Sequence, residues 1–420
     1  MKKEKEGAAR IVEANRAQMR FVMSDLEGML PGDHQARAVW AFVEQLDLSE
    51  FLERIRSREG SAGRPAIDPR ILLGLWMLAT LDGVGSAREI ERLCSEHVAY
   101  QWMCGGVNPN AHTLSDFRSL STDLLNGVLT QTVTPLLERG LVEMKRVAQD
   151  GMKVRASAGA SSFRTRKRLN ELKKIVREQV EALSQEIDSD PGAGARREQA
   201  SRKREAERRE KKIAQALEQM KEAEKRKRSN NGKKKTQARV STTDPSARVM
   251  KMADGGYRPA YNIHLVTTTD SRMVLAVDAN GEGTDVKEMV PLAKQVEERF
   301  GVRPEEWLAD GGCGSLSNID QMSERGCRVF SPLRKRRNEA NKLDEPRPND
   351  SKAVAEWRDR MNSEEAKKIY KLRGSVAEWA NAQSRGHGLQ QFLVRGLDKV
   401  LGVALIHAIT INMTRSFALA

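Results

Sequence analysis

Apolar positions along the chain switch between two periods, and the switches divide it into four regions. In the first, up to about residue 120, the period is helical. Asp68-Pro69 opens a strongly apolar helix from Ile71 to Leu81, and Asp82-Gly83-Val84-Gly85 ends it. Ser86, with Glu89 three residues on, has capping-box spacing and starts a second helix from Ala87 to about His97. Arg88, Glu89, Glu91 and Arg92 fall on its exposed faces. Asn108-Pro109-Asn110 breaks the chain again, and Thr113 with Asp116 forms a box opening a third helix through Phe117 and Leu120. Short helices joined by a glycine turn fit an all-α, helix-turn-helix-like DNA-binding domain over residues 1–125; they fit a plain helical cap on a catalytic core as well.

A short, partly apolar segment begins near Leu141 and delivers Asp150 at the end of a strand, with Gly151 next. From about Arg164 to Arg239 the chain is dominated by Lys, Arg, Glu, Gln and Ala. Leu169, Leu172, Val176, Val180, Leu183 and Ile187 recur there at three- and four-residue steps, and so do Ile213, Leu217 and Met220 beyond a break at Asp190-Pro191-Gly192-Ala193-Gly194. The pattern predicts an antiparallel helical hairpin over residues 164–239. Its basic runs, Arg226-Lys227-Arg228 and Lys233-Lys234-Lys235, read either as a solvated face or as a DNA-backbone contact.

Strands then return. Tyr261 to Thr268 alternates with period 2, Asp270-Ser271 turns the chain, and Met273 to Asp278 answers as a hairpin partner. Asp285 to Phe300 reads as an amphipathic helix, with Thr284 and Asp285 as its N-cap and first-turn acid; a DNA contact is the alternative for that pair. Trp307-Leu308-Ala309 is a short buried strand ending in Asp310-Gly311-Gly312, followed by a helix near Leu316 to Glu324 and a strand from Cys327 to Phe330. A polar stretch, Lys335 to Asp350, precedes a last helical block. This order is that of an α/β, RNase H-like core, here residues 140–163 and 240–420 with the hairpin inserted after the first strand.

Composition narrows the partner. A net charge of +14 and a pI of about 9.6 favour a polyanion, nucleic acid above all. Charged residues at 31% against 39% hydrophobic fit a folded chain carrying a large solvated insert. Cys94, Cys104, Cys313 and Cys327 form no CxxC pair and read as buried thiols of a reducing cytosol, with a Cys94–Cys104–His112 metal site as the lesser reading. No apolar run follows the N-terminal Met-Lys-Lys-Glu-Lys-Glu, so no signal peptide is expected. The run from Val400 to Met413 is too short to span a bilayer and predicts a buried helix. These features point to a cytoplasmic, nucleoid-associated protein without a membrane partner.

Asp150 and Asp310 each end a buried strand and each precede glycine. Phosphodiester hydrolysis and transfer use carboxylates that hold two divalent cations, for which oxygen ligands suit Mg²⁺ or Mn²⁺. A third ligand is expected from a helix after the last strand. There Tyr370, Arg373 and Glu378 fall roughly on one side, with Arg385 two turns beyond Glu378. Glu378 would grip metal while Arg373 and Arg385 grip phosphates; taken alone, the helix fits an ordinary surface Arg–Glu pair. His264 reads as a packing or hydrogen-bonding residue, and His387 as part of a turn.

The Tyr-x2-Arg-x4-Glu-x6-Arg run from Tyr370 to Arg385 resembles the Tyr–Arg–Glu–Lys signature of DDE transposases from bacterial insertion sequences. Gln149 to Ala156 looks like the block bearing their first catalytic Asp, and Leu308 to Ser315 like the second. Gly63-Arg64-Pro65 through Phe117-Arg118 is similar to their helical N-terminal domain, and Gly396 to Val400 with Asn412 to the tail behind their catalytic helix. The resemblance implies cleavage at element ends by water, then attack of the freed 3′-OH on target DNA. It assigns the two metals to Asp150, Asp310 and Glu378, and terminal phosphates to Tyr370, Arg373 and Arg385. Arg64, Arg88 and Arg92 are expected to touch DNA. Double-stranded DNA, as terminal inverted repeats and target, is the implied partner, with a homodimer synapsing two ends. The chain departs from the pattern at Arg385, where Lys is usual, at Trp379-Ala380, where proline is frequent, and at Met152, in place of a small hydroxyl residue. Trp379 is expected in the core, with stacking on a flipped base as the alternative. A nuclease without strand transfer, or an inactive DNA-binding relic, would share much of this pattern.

Overall fold

The computed structural model describes residues 17, 25–58, 60, 64–189, 193–229, 237–333 and 346–419. Among them nine helices precede the main sheet: α1 (Leu26–Met29), α2 (Gln35–Glu44), α3 (Ser49–Glu53), α4 (Pro69–Leu81), α5 (Ala87–Glu96), α6 (Val98–Cys104), α7 (Ala111–Leu120), α8 (Thr122–Gln131) and α9 (Thr134–Glu138). The capping signals act where they stand in the sequence. Asp68 accepts from Arg70 N (2.8 Å) to start α4, and Ser86 Oγ from Glu89 N (3.4 Å) to start α5. Helix α7 begins one turn earlier than the Thr113–Asp116 box suggests. Asn110 Oδ1 takes Thr113 N (2.8 Å), and asparagine is the stronger N-cap.

The strands are β1 (Arg146–Arg155), β2 (Phe163–Arg164), β3 (Val240–Ser241), β4 (Arg248–Lys251), β5 (Tyr257–Thr268), β6 (Val274–Asn280), β7 (Glu306–Leu308) and β8 (Arg328–Phe330). Helices α10 (Arg166–Ser189) and α11 (Ala193–Ser229) lie between β2 and β3. Helix α12 (Met289–Phe300) follows β6, α13 (Leu316–Glu324) follows β7, and α14 (Lys352–Asn362), α15 (Glu364–Gly386) and α16 (Leu397–Leu419) follow β8. The main sheet runs β4-β5-β1-β7-β8, with β6 beside β5. β1 is antiparallel to β5 and parallel to β7, which is parallel to β8. The result is a mixed α/β architecture behind a helical N-terminal region.

Asp150 does not end its strand. β1 continues to Arg155, because the long β5 pairs with it from Val147↔Thr268 to Arg155↔Ala260. Asp285 is not helical either. Helix α12 starts at Met289, which puts Pro291 in the first turn, where its missing N–H costs nothing. The loop before it carries Asp285 separately.

One face of the sheet packs on α12, α13 and α14 through Val147, Val266, Leu275, Leu292, Trp307, Met322 and Trp357. The other shares a single core with the N-terminal helices, in which Leu75, Ile90, Leu114, Leu125, Met152, Ile263, Val277, Leu405 and Ile409 are all buried. Helix α16 is the common wall, touching β6, α8, α4 and α7. It is longer than the Val400–Met413 run, because no breaker follows Met413 and the helix carries on to Leu419. By length and composition its 23 residues would cross a membrane, but 67% of its apolar window is buried inside the protein. Asn412 sits wholly buried in it, accepting from Val274 N (2.7 Å) and donating to Val274 O and Thr132 Oγ1 (2.8 Å each).

His407, one turn earlier on α16, has no hydrogen-bond partner for Nδ1, and burial pushes its pKa down to about 3 from 6.5. The folded state therefore refuses a proton that the unfolded chain accepts below about 6.5. Stability is expected to fall as pH drops from there towards 3, with His407 contributing about 1.4 kcal/mol per pH unit. Urea midpoints of wild type and His407→Gln between pH 7 and 4.5 check this; equal slopes for the two proteins would refute it.

The insertion is a helical hairpin, α10 against α11, rooted on the two-stranded β2–β3 ribbon. Leu169, Ala216, Met220, Ala238 and Val240 bury its base, and Arg166 grips Glu224 with two hydrogen bonds (2.7 and 2.8 Å). Arg226, the first residue of one basic run, pairs with Glu282 after β6 (2.9 Å). The Lys233–Lys235 run lies outside the described residues.

Candidate active site

Strand register assembles the first two carboxylates. The last pair between β1 and β7 is Ala148↔Leu308, so two residues further along each chain stand Asp150 and Asp310. Alternation along β1 turns Ala148, Asp150 and Met152 to one face, and Ala148 packs with Ala377 of α15. From α15, Arg373 Nη2 donates to Asp150 Oδ1 (2.7 Å) and Asn381 Nδ2 to Oδ2 (2.8 Å). Burial holds the Asp150 carboxyl above the ordinary carboxylate range, helped by the negative charges of Asp310 and Asp285, although Arg373 and Gly151 N–H pull the other way. A site that concentrates negative charge in this way favours a bound cation.

A third carboxylate, Asp285, stands close by. Its Oδ1 accepts a hydrogen bond from Asn262 Nδ2, and lies where a Cβ on Gly151 would come within 2.8 Å. A Cβ on Gly312 would likewise come within 2.7 Å of Asp310 Oδ1. Gly151, next to Asp150, and Gly312, two residues after Asp310, thus each leave room for a carboxylate. Ligand atoms of Asp285, Asp310 and Cys313 lie within 4.8 Å of one another. Oxygens dominate this donor set, which fits a hard divalent cation. The carboxylates line a cleft of about 640 Å³ whose walls also carry Lys153, Arg155, Lys251, Arg258 and Arg385. Carboxylates and basic side chains lining one cleft suit a phosphodiester backbone whose reacting phosphate meets a metal.

The other expected residues divide. Tyr370 is half-buried beside Arg373, and burial raises its pKa. Arg385 reaches the cleft. Glu378 is exposed, its Oε1 3.9 Å from where a Gly374 Cβ would stand, and it is outside the close ligand group found among the described residues. Trp379 is partly buried against the large core, with the guanidinium groups of Arg272 and Arg415 5.5 and 5.7 Å from its ring centre. Arg64 and Arg88 are exposed in the N-terminal region, away from the cleft. Arg92 is exposed too, but is already paired with Glu89 and Glu96 on its own helix. His264 is fully buried, next to Asn280 (3.1 Å) and 3.8 Å from Asp285. Cys94 and Cys104 are buried free thiols.

The sequence reading passed over Asn381, and took Asp285 for a first-turn acid or a DNA contact rather than a member of the acidic group. Asn381 had a signal, since Arg373, Ala377 and Asn381 recur every four residues on one helical stripe. Asp285 had only its place between a strand and a helix, which a capping role explained as well.

The family model described as "Transposase domain (DUF772)" matches residues 24–120, and that described as "Transposase DDE domain" matches residues 225–413. No curated protein and no solved structure matches the chain.

Proposed function

Because the chain belongs to the DDE transposases of insertion sequences, we propose that Asp150, Asp310 and Glu378 hold two Mg²⁺ or Mn²⁺ ions on an RNase H-like core. As a transposase it binds DNA, and cleaves and joins DNA strands with a divalent cation. The observation that supports Asp150 and Asp310 is a cleft that both line together with Lys153, Arg155 and Arg385, while Glu378 rests on the family resemblance of its helix. The strand order, with β1 antiparallel to β5 and parallel to β7, supports the RNase H-like reading of the core. Helix α15 already reaches Asp150 through Arg373 and Asn381, and Glu378 stands one turn before Asn381.

Bound cations would activate the attacking oxygen and stabilise the leaving one. The protein's own groups position the DNA. Lys153, Arg155 and Arg385 draw the backbone into the cleft. Arg373 and Tyr370 would hold the terminal phosphate, Arg373 with guanidinium N–H groups beyond the one it gives Asp150. The N-terminal helices, with Arg64, Arg88 and Arg92, would read the terminal inverted repeats, on a homodimer that brings two ends together in the cytoplasm, at the nucleoid.

Incubation of the full chain with DNA carrying the element's ends, a target plasmid and Mg²⁺ tests the reading. Cleaved ends and joined products are expected, both lost on chelation. Cleavage without joined products would replace it by a nuclease; neither product from a folded, DNA-binding chain would make it a relic.

A further inference from the structure

We infer that Asp285, in the loop between β6 and α12, is a direct ligand of the divalent cation alongside Asp310. The inference rests on the metal-dependent reading above and adds a ligand to it.

Proximity is the first support: Asp285 and Asp310 offer oxygens within 4.8 Å of each other, from separate elements. The second is Asn262, only 1% exposed. Its amide N–H is committed to Asp285 Oδ1, which fixes the orientation of the group. Its own Oδ1 is left buried with no hydrogen-bond partner, in the wall of the same cleft. A buried acceptor of this kind calls for a donor or a cation. Third, β1 is bare just here. A Cβ at Gly151 would stand 2.8 Å from Asp285 Oδ1 and 3.2 Å from Asn262 Oδ1, so both oxygens use space that only glycine leaves.

His264 completes the support. Nδ2 of Asn280 is a donor, so Nε2 of His264 accepts and the neutral ring carries its proton on Nδ1, 3.8 Å from Asp285 Oδ1. His264 thus turns a donor N–H rather than a lone pair towards Asp285, at a distance too long for a hydrogen bond. Asp285 is thus oriented by the hydrogen bond from Asn262, as ligating carboxylates are by their outer partners.

The test is Mn²⁺ binding to the full chain, followed by electron paramagnetic resonance of the free ion, for wild type, Asp285→Asn, Asp285→Glu and Asp310→Asn. Asparagine at 285 retains an oxygen for the Asn262 hydrogen bond and removes only the charge. Asp285→Asn is expected to bind Mn²⁺ at least about tenfold more weakly, to lose the Mn²⁺-induced rise in melting temperature, and to keep its melting temperature without metal. Asp285→Glu is expected to recover part of the binding. If Asp310→Asn weakens binding and Asp285→Asn does not, Asp285 is no ligand although the metal site stands. If Asp310→Asn also binds like wild type, the metal-site reading falls, and this inference with it. Should Asp285→Asn melt early, binding by Asp285→Glu no better than by Asp285→Asn would overturn the assignment.

Discussion

Asp310→Asn is expected to lower strand cleavage by about a thousandfold or more, while DNA binding stays the same or tightens slightly. Metal ligation supplies several kcal/mol of transition-state stabilisation, and each 1.4 kcal/mol is about tenfold in rate. Loss of one negative charge from a DNA cleft works, if anything, in favour of binding. Asp310 gives a cleaner test than Asp150, for a reason visible in the hydrogen bonds. Asp150 accepts from two side-chain donors, Arg373 on one oxygen and Asn381 on the other. An asparagine there has one acceptor oxygen, so one buried donor would lose its partner at a cost of about 1–3 kcal/mol. Lost activity in Asp150→Asn would then mix chemistry with stability. Asp310 Oδ1 accepts from Cys313 N (3.1 Å), a bond that asparagine can keep. Cleavage gels with an end-bearing fragment, run beside gel shifts, measure both quantities. Undiminished cleavage by Asp310→Asn would remove Asp310 from the site.

Asn412→Ala is expected to destabilise the protein by about 2–4 kcal/mol. The side chain is fully buried and its amide satisfies both backbone groups of Val274 as well as Thr132 Oγ1. Truncation strands the Val274 N–H and C=O away from water and opens a cavity between α16 and β6. Leucine, which fills the space, is expected to recover little, since the unpaired backbone groups remain. Chemical denaturation at pH 7 measures the change. A loss under about 1 kcal/mol would mean that the sheet or water re-pairs Val274.

Much of this was legible in the chain, and the exceptions have physical causes. Local signals were reliable where one residue decides the outcome: Asp68, Ser86 and the break at Asp82-Gly83 mark helix ends because a cap acts on its neighbours alone. The helical hairpin was legible because its apolar stripe has no competing period. Failures came where distant pairing decides. Asp150 looked like a strand end because Gly151 follows, yet β5 pairs right across both. Asp285 looked like the first-turn acid of a helix, and only the fold brings it over Gly151 to Asp310. Thr113 lost to Asn110 by three residues, which is a competition between two good caps rather than a misread pattern. The charges show the same division. Without DNA present, Arg373, expected on phosphate, donates to Asp150, and Arg92, expected on DNA, pairs with Glu89 and Glu96. Residue types say which groups seek partners, and packing chooses among the partners on offer.

Helix α16 has a consequence for how the molecule is made. Thr132 and Asn412, joined by a hydrogen bond in the finished core, are 280 residues apart. During synthesis α4, α7 and α8 leave the ribosome before residues 397–419, the helix they pack against, are made. All the site carboxylates emerge before that happens. A chain interrupted just before α16 would thus contain every residue lining the cleft and still lack the helix that covers this core. Competence to act on DNA is therefore expected only once residues 397–419 have been made and have packed against the core.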